Sequence, residues 1–338
     1  MKAARFTSVG KIELRDEPTP EIPEGELLVK TKASGICGTD YHIFSGSVRG
    51  LAQPGVVLGH EFSGVVEGVG PNVLDFTIGD RIAVDPNLFC GACHYCRNAK
   101  KHFCENWTAI GIGRDGGFQE QVLVPTQAAY KIPDKLDYST AAFLEPMACV
   151  LHSVRQAKVQ VGETVVVQGA GAIGQLFVQV LARAGVGKII VSETDHAKLN
   201  LAKQNGASVA VDVTNEQLQE VVKAETDGIG AQVMFDAAGL ASTIPTAIDI
   251  LENTGRVVLF GVPPEKSSVT FYPYDVYRKE LQISGSFTNP YTNEAAVNIL
   301  DQIDVKPLLT DKISLEEIVE RGFNQFGTKG VLKIQVQF

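Results

Sequence analysis

Five of the six cysteines in this chain are spaced as metal ligands. Four form one run, Cys90-x2-Cys93-x2-Cys96-x7-Cys104. Thiolates this close together can close a tetrahedral shell around one zinc ion and so order the loop that carries them. Cys37 stands apart in Gly35-Ile36-Cys37-Gly38-Thr39-Asp40, with Gly59-His60-Glu61 downstream. A mixed site with fewer protein ligands leaves a coordination position open for chemistry. Both signatures in one chain point to an enzyme rather than a zinc-stapled binding module. In a short secreted chain the same cysteines would read as disulfides. Here the chain has 338 residues and spaces its thiols by twos, which argues for metal ligation in a reducing cytoplasm. A bacterial ferredoxin run would continue x3-Cys-Pro after the third cysteine. The gap here is seven residues and Glu105 follows Cys104, so zinc is expected over an iron–sulfur cluster.

A second chemistry is carried by Gly169-Ala170-Gly171-Ala172-Ile173-Gly174. A bare G-x-G-x-x-G is weak evidence, because glycines also serve ordinary turns. This one follows a buried-type strand at 164–167 and opens an amphipathic helix with Ile173, Leu176, Phe177, Val180, Leu181 and Ala184 on one face. Gly169 permits the tight turn, Gly171 lets the backbone approach a pyrophosphate, and Gly174 allows close helix–strand packing. The helix start then meets the phosphates with its partial positive charge. Glu193, 19 residues after Gly174, ends the next strand. A carboxylate there accepts from a ribose 2′,3′-diol and repels a 2′-phosphate, so NAD is expected over NADP.

The elements that must position these groups divide the chain in two. The first third is β- and turn-rich, with strands expected at 26–31, 64–69 and 80–84, which suggests a small barrel or sandwich. The cysteine run lies in an irregular stretch that only a metal would order. A helix-like segment over 139–148 is interrupted at Glu145-Pro146. Beyond Gly162 strands at 164–167, 188–193, 209–212, 233–236, 257–260 and 281–284 alternate with helices. That is an α/β pattern, a doubly wound parallel sheet. Regularity fades after Phe287, and 331–336 reads as a final strand returning to the first domain.

The totals exclude other classes. A net charge of −9 argues against nucleic acid or an anionic membrane surface as partner. No stretch reaches the roughly 18 apolar residues of a membrane span. Met1-Lys2-Ala3-Ala4-Arg5-Phe6 leads into alternating residues rather than an apolar run, so no secretory leader is expected.

Together the motifs identify a family. The chain resembles the zinc-containing medium-chain dehydrogenases over essentially its full length. The shared features are the Cys37 and His60-Glu61 segments, the four-cysteine lobe and the glycine turn. Within that family it is most similar to the polyol branch, because Phe143-Leu144-Glu145-Pro146 stands where ethanol-type enzymes place a third cysteine ligand. Arg114-Asp115-Gly116-Gly117-Phe118 and Asn289-Pro290-Tyr291 are similar to segments of sugar-phosphate members. The resemblance implies a GroES-like catalytic domain at 1–149, with a structural zinc lobe at about 85–107. It implies a Rossmann domain at 150–287 and a return to the catalytic domain at 288–338. It also implies NAD, two zinc ions per chain, and a homodimer or homotetramer. By position Cys37, His60 and Glu145 would hold the catalytic zinc, with Glu61 an alternate partner reached through water or by ligand exchange. Thr39 would pass the substrate proton to His42, and His42 toward solvent. A turn-stabilising hydroxyl and a packed ring are the plainer readings of those two residues.

The activity so implied is hydride transfer to NAD from a secondary alcohol of a polyol or polyol phosphate, giving the ketose. A threonine-type amino-alcohol dehydrogenase, a butanediol-type diol dehydrogenase and a catalytically silent nucleotide-binding protein are the alternatives. A phosphorylated substrate would need basic residues, for which Arg49, Arg114, Arg278 and Lys279 are available. His94 and His102 are expected as solvated lobe residues, Trp107 as packing for the lobe, and Cys149 and His152 as core. His196 is expected to flank the adenosine end.

Overall fold

A computed structural model describes residues 1–48 and 50–338. The chain forms two compact units, one made of Met1–Ala148 with Asn289–Phe338 and the other of Cys149–Thr288.

The first unit is built on a seven-stranded sheet. Its central strand, Glu26–Gly35, pairs along its length with Glu61–Val69. On its other side it pairs first with Gln121–Pro125 and then, near its end, with the C-terminal strand Lys333–Gln337. Arg81–Val84, Ala129–Lys131 and Leu309–Ile313 complete the sheet. Along the central strand Leu27, Val29, Thr31 and Ala33 are buried on one face while Lys30 on the other is exposed, the alternation of a sheet packed mainly on one side. One core gathers Leu27, Val29, Phe62, Val66, Ile82 and Val124. Another gathers Ile36, Ile43, Phe44, Leu58, Phe118, Phe323, Ile334 and Val336. Each such side chain contributes about 1.5–3 kcal/mol when fully buried. The second core encloses the segment that follows the central strand, which is where Cys37 lies.

The second unit is a six-stranded parallel sheet. Its order is Val209–Asp212, Lys188–Glu193, Thr164–Gln168, Ala231–Asp236, Leu251–Leu259, Gln282–Gly285. Numbered by chain order this is 3-2-1-4-5-6, the doubly wound arrangement expected from the sequence. Val165, Val166 and Val167 are fully buried, as a parallel strand covered on both faces requires. The helix Ala172–Arg183 buries Leu176, Phe177, Val180 and Leu181, and Phe177 stacks on Phe235 with 4.6 Å between ring centroids. It ends one residue earlier than its apolar spacing suggests, leaving Ala184 as an exposed cap.

Glu145-Pro146 does not interrupt a helix. Tyr138–Ala141 is a separate short helix, and Leu144–Gln156 begins afterwards with Pro146 in its first turn. There the missing N–H costs nothing, since the first four N–H groups of a helix have no intrahelical partner. No helix among the described residues is long and apolar enough to cross a membrane.

Candidate active site

Sheet register assembles the mixed donor set. Gly35, at the end of the central strand, lies opposite Glu61, the first residue of its antiparallel neighbour. Cys37 follows two residues beyond Gly35, and His60 immediately precedes Glu61. Two segments distant in sequence therefore converge, and the Cys37 sulfur, a His60 nitrogen and a Glu61 oxygen all lie within 4.8 Å of one another. His60 and Glu61 are buried and Cys37 half-buried. Cys37 also caps the helix Gly38–Ser45, so its sulfur lies where the backbone dipole is positive.

Asp40 braces this arrangement and is fully buried. Its carboxylate accepts from the Cys37 N–H at 2.9 Å and from the Gly59 N–H at 3.2 Å. The same carboxylate lies 3.2 Å from His60 Nδ1, outside good hydrogen-bond geometry, leaving Nε2 as the ring's other donor to a metal. Burial pushes the His60 pKa down, but the nearby Asp40 carboxylate and then Cys37 outweigh this and hold it well above its ordinary value. The place of Asp40, three residues after Cys37 and at the third position of the helix, is a capping signal that the sequence alone displays.

The other residues named from sequence fall around this core. Glu145 sits in the first turn of Leu144–Gln156, half-buried, and its charge is felt by Lys333. It lies outside the tight cluster of three. Thr39 and His42 are three residues apart on Gly38–Ser45 and therefore share a face, both half-buried. His42 Nδ1 is 3.4 Å from Ser47 Oγ. Lys333, which no local pattern singled out, is buried and forms an ion pair with Glu61.

The four-cysteine run folds into one cluster. Cys93 caps the single turn His94–Arg97, Cys96 lies within it, and Cys104 follows the turn Lys101–Phe103. Cys104 is 3.6 Å from Cys90 and 3.9 Å from Cys93, sulfur to sulfur. A tetrahedron with zinc–sulfur bonds of ~2.3 Å has edges of about 3.8 Å, so the thiols already stand at ligand spacing. Backbone N–H groups are aimed at the sulfurs. Those of Ala92 and Cys93 bring the exposed Cys90 down to about 6, and those of Cys96 and Glu105 lower Cys93. Cys96 is pushed up to about 12 by burial and by Cys93 and Cys104, because crowded thiolates need a cation. The donor set and its spacing fit zinc. Cys96→Ser is expected to remove this metal and lower the melting temperature by roughly 10 °C or more, since most of the loop's residues are exposed. Calorimetry with metal analysis checks it. Within the lobe His94 is exposed and His102 half-buried, and the Trp107 indole N–H donates to Asn87 at 3.0 Å.

In the second unit the three glycines of the turn meet different surroundings. Gly169 has φ +94°. A Cβ on Gly174 would meet the Gly169 carbonyl oxygen at 2.0 Å, whereas one on Gly171 would project into open space. A cofactor phosphate can therefore approach the backbone at Gly171, beside Ala172 and Ile173 in the first turn of the helix. Gln175, buried beneath, donates to the Ala170 and Lys198 carbonyls at 3.1 and 2.9 Å and fixes the turn. Glu193 accepts from the Ala170 N–H at 3.0 Å and the Thr194 N–H at 2.7 Å. Burial would raise the Glu193 pKa, yet these bonds lower it, so the carboxylate is ionised. His196 pairs with Asp212 at 3.2 Å, on the strand beside that of Glu193.

The basic residues are differently committed. Arg114 is bidentate to Glu26 at 2.7 and 3.1 Å. Lys279 donates to the carbonyls of Ile248 and Leu251, each at 3.1 Å. Arg278 is exposed, and Arg49 lies outside the described residues.

Comparison with known proteins agrees with this construction. Residues 23–134 match the alcohol dehydrogenase GroES-like domain, and 172–302 match the zinc-binding dehydrogenase family. L-threonine 3-dehydrogenase of Cronobacter sakazakii is 31% identical over 317 residues, covering 92% of each chain. A zinc-binding dehydrogenase of Sinorhizobium meliloti, solved bound to NADP and described as putative in function, is 38% identical with a TM-score of 0.95. It covers 100% of this chain and 99% of its own. Galactitol-1-phosphate dehydrogenase of Escherichia coli is 27% identical with a TM-score of 0.92 over 100% of both chains. A mixed thiol–imidazole–carboxylate cluster, a four-thiol lobe and a dinucleotide turn thus recur here together, and the chain belongs to the zinc-containing medium-chain alcohol dehydrogenases, which are NAD(P)-dependent oxidoreductases.

Proposed function

We propose that this protein oxidises a secondary alcohol of a polyol to the ketose with NAD as hydride acceptor, using one catalytic and one structural zinc. The observation that carries the reading is the buried convergence of Cys37, His60 and Glu61. Cys37 and His60 hold the catalytic ion, with Glu145 or Glu61 as the carboxylate partner. Cys90, Cys93, Cys96 and Cys104 hold the structural one. When bound, zinc supplies the Lewis acidity that makes an alcohol hydroxyl acidic near neutrality, and the nicotinamide accepts the hydride. The protein's own residues position the substrate and move its proton. Thr39 accepts the proton from the substrate hydroxyl and His42, one turn on, passes it outward. Asp40, 3.2 Å from the His60 ring, holds that metal-binding imidazole in place. Glu193, ionised beside the glycine turn, supports NAD over NADP, even though the Sinorhizobium relative was solved with NADP.

The commitments of Arg114 to Glu26 and of Lys279 to main-chain carbonyls favour a free polyol over its phosphate ester. The similarity to threonine dehydrogenase supports a second reading, oxidation of a β-hydroxy amino acid. NADH formation measured against free polyols, their phosphate esters, L-threonine and 2,3-butanediol separates these. A kcat/KM for a free polyol at least about tenfold above all the others is expected. Preference for L-threonine or for a phosphate ester would replace the reading.

Assembly as a homodimer or homotetramer fits the bare edge of the parallel sheet. Among the described residues Gln282–Gly285 has one pairing neighbour, and Tyr272, Tyr274 and Tyr277 close to it in sequence are exposed. The thiol clusters suit the reducing conditions of the cytoplasm.

A further inference from the structure

The neck of the four-thiol lobe is joined by buried amides to the stretch of chain that re-enters the first unit. Asn87–Leu88 pairs with Thr108–Ala109 across the neck, and the Trp107 indole donates to Asn87 Oδ1 at 3.0 Å. Asp85 stands two residues before this pairing. Its Oδ1 accepts from the main-chain and side-chain N–H groups of Asn87 at 3.1 and 2.9 Å, and its Oδ2 from Asn293 Nδ2 at 2.7 Å. Asn87 Nδ2 also donates to Asn289 Oδ1 at 2.7 Å, and Asn289 Nδ2 to Asn293 Oδ1 at 3.0 Å. Asn289 is the residue at which the chain returns to this unit. Asp85, Asn87, Asn289 and Asn293 are all less than a tenth exposed, and none of their side-chain polar atoms is buried without a partner.

A carboxylate buried among amides is costly to desolvate, and burial indeed pushes the Asp85 pKa up against the opposing bonds of Asn87. What a fully bonded network provides in return is a single fixed geometry. The geometry beside this one is unusual. Thr288 and Tyr291 have φ of +55° and +60°, a left-handed backbone that a β-branched threonine rarely adopts. Such bends persist only where their surroundings impose them. The lobe makes a second tie to the same segment. Lys101, in the turn that leads to Cys104, holds its ammonium 4.5 Å from the ring centroid of Phe89 and 4.9 Å from that of Tyr291. We propose that Asp85 and the three asparagines form a latch, through which a metal-ordered lobe holds residues 289–293 in their bends. That segment continues from Gln282–Gly285, the sixth strand of a sheet whose C-terminal edge seats a dinucleotide. Metal at the four thiols therefore orders the chain that leaves this edge, besides ordering the lobe itself. This rests on the reading of Cys90, Cys93, Cys96 and Cys104 as a zinc site.

The latch has a signature that two unconnected structural roles lack. Asp85→Asn keeps the size of the side chain but sets a donor against Asn87 or Asn293. It should leave the zinc content unchanged and speed amide hydrogen exchange at 289–293 by about 10–100-fold. Cys96→Ser, which removes the lobe metal, should speed the same amides by a similar factor. The two changes together should do no more than either alone, a non-additive pair. Amides of the strand Thr164–Gln168 are the control and should keep their rates. Asn289→Ala replaces Asp85→Asn if the latter does not fold. Should Cys96→Ser not fold, Cys37→Ala protein is stripped of its remaining zinc by a chelator and then reloaded. Exchange at 289–293 should rise and fall back. Unchanged exchange there on loss of the lobe metal, effects that multiply in the double variant, or an equal rise in the control strand overturns the proposal. Parent protein that holds no zinc at the four thiols would instead overturn the metal reading beneath it.

Discussion

Cys37→Ala is expected to reduce kcat/KM by about 10⁴-fold while the protein stays folded and keeps its structural zinc. The effect is separable from stability because of how Cys37 is held. Asp40 accepts from its main-chain N–H, which alanine retains, and the side chain is only half-buried. Loss of the sulfur should therefore shift stability by no more than about 1 kcal/mol. Its chemical consequence is far larger. Without the thiolate the remaining donors are an imidazole and carboxylates, a weaker set for zinc, and acidification of the substrate hydroxyl goes with the ion. Metal analysis should show one zinc in place of two, and calorimetry a nearly unchanged melting temperature. A variant that turns over within tenfold of the parent would remove Cys37 from the chemistry. A collapse in melting temperature would show that the segment serves the fold first.

The second large effect concerns cofactor choice. Glu193→Ala should lower kcat/KM with NAD by about 100-fold, as hydrogen bonds to a charged group are worth roughly 1.5–3 kcal/mol each and the diol offers two. With NADP the same change should raise kcat/KM, because a carboxylate no longer faces the 2′-phosphate. The contact is remote from the reacting atoms, so kcat at saturating NAD should change only a few-fold. The carboxylate is held ionised by the Ala170 and Thr194 N–H groups, with its pKa below the usual 4.5. It bears its charge at neutral pH and loses it only as pH falls through this lowered value. The preference for NAD should accordingly persist unchanged through mildly acidic conditions. A Glu193→Ala enzyme with unaltered NAD and NADP constants would refute the assignment. The NADP found with the Sinorhizobium relative makes that comparison informative.

Local spacing determined a good part of this protein. The four-cysteine run needs only two short turns to bring its sulfurs together, because its ligands lie within fifteen residues of one another. The glycine turn is equally local, its three glycines answering to backbone shape and to one adjoining strand and helix. The order of the parallel strands and their apolar runs were legible for the same reason, since a strand covered on both faces must be apolar throughout.

What only the tertiary structure decided depends on register between distant segments. Pairing of Gly35 with Glu61 brings Cys37 to His60, and a slip of one residue would turn every side chain of that strand to the opposite face. Asp40 is an ordinary helix-capping acid until the fold sets Gly59 and His60 against it. Arg114 and Lys279 stood available for an anion by sequence, but long flexible side chains go to whatever acceptor the fold brings near, here Glu26 and main-chain carbonyls. Lys333 is the extreme case. Nothing in its neighbourhood of the chain marks it, and its partner Glu61 becomes its partner only when the last strand closes against the central one. A side chain's charge and size can be read from sequence, whereas the field it must balance is made by residues that only folding brings together.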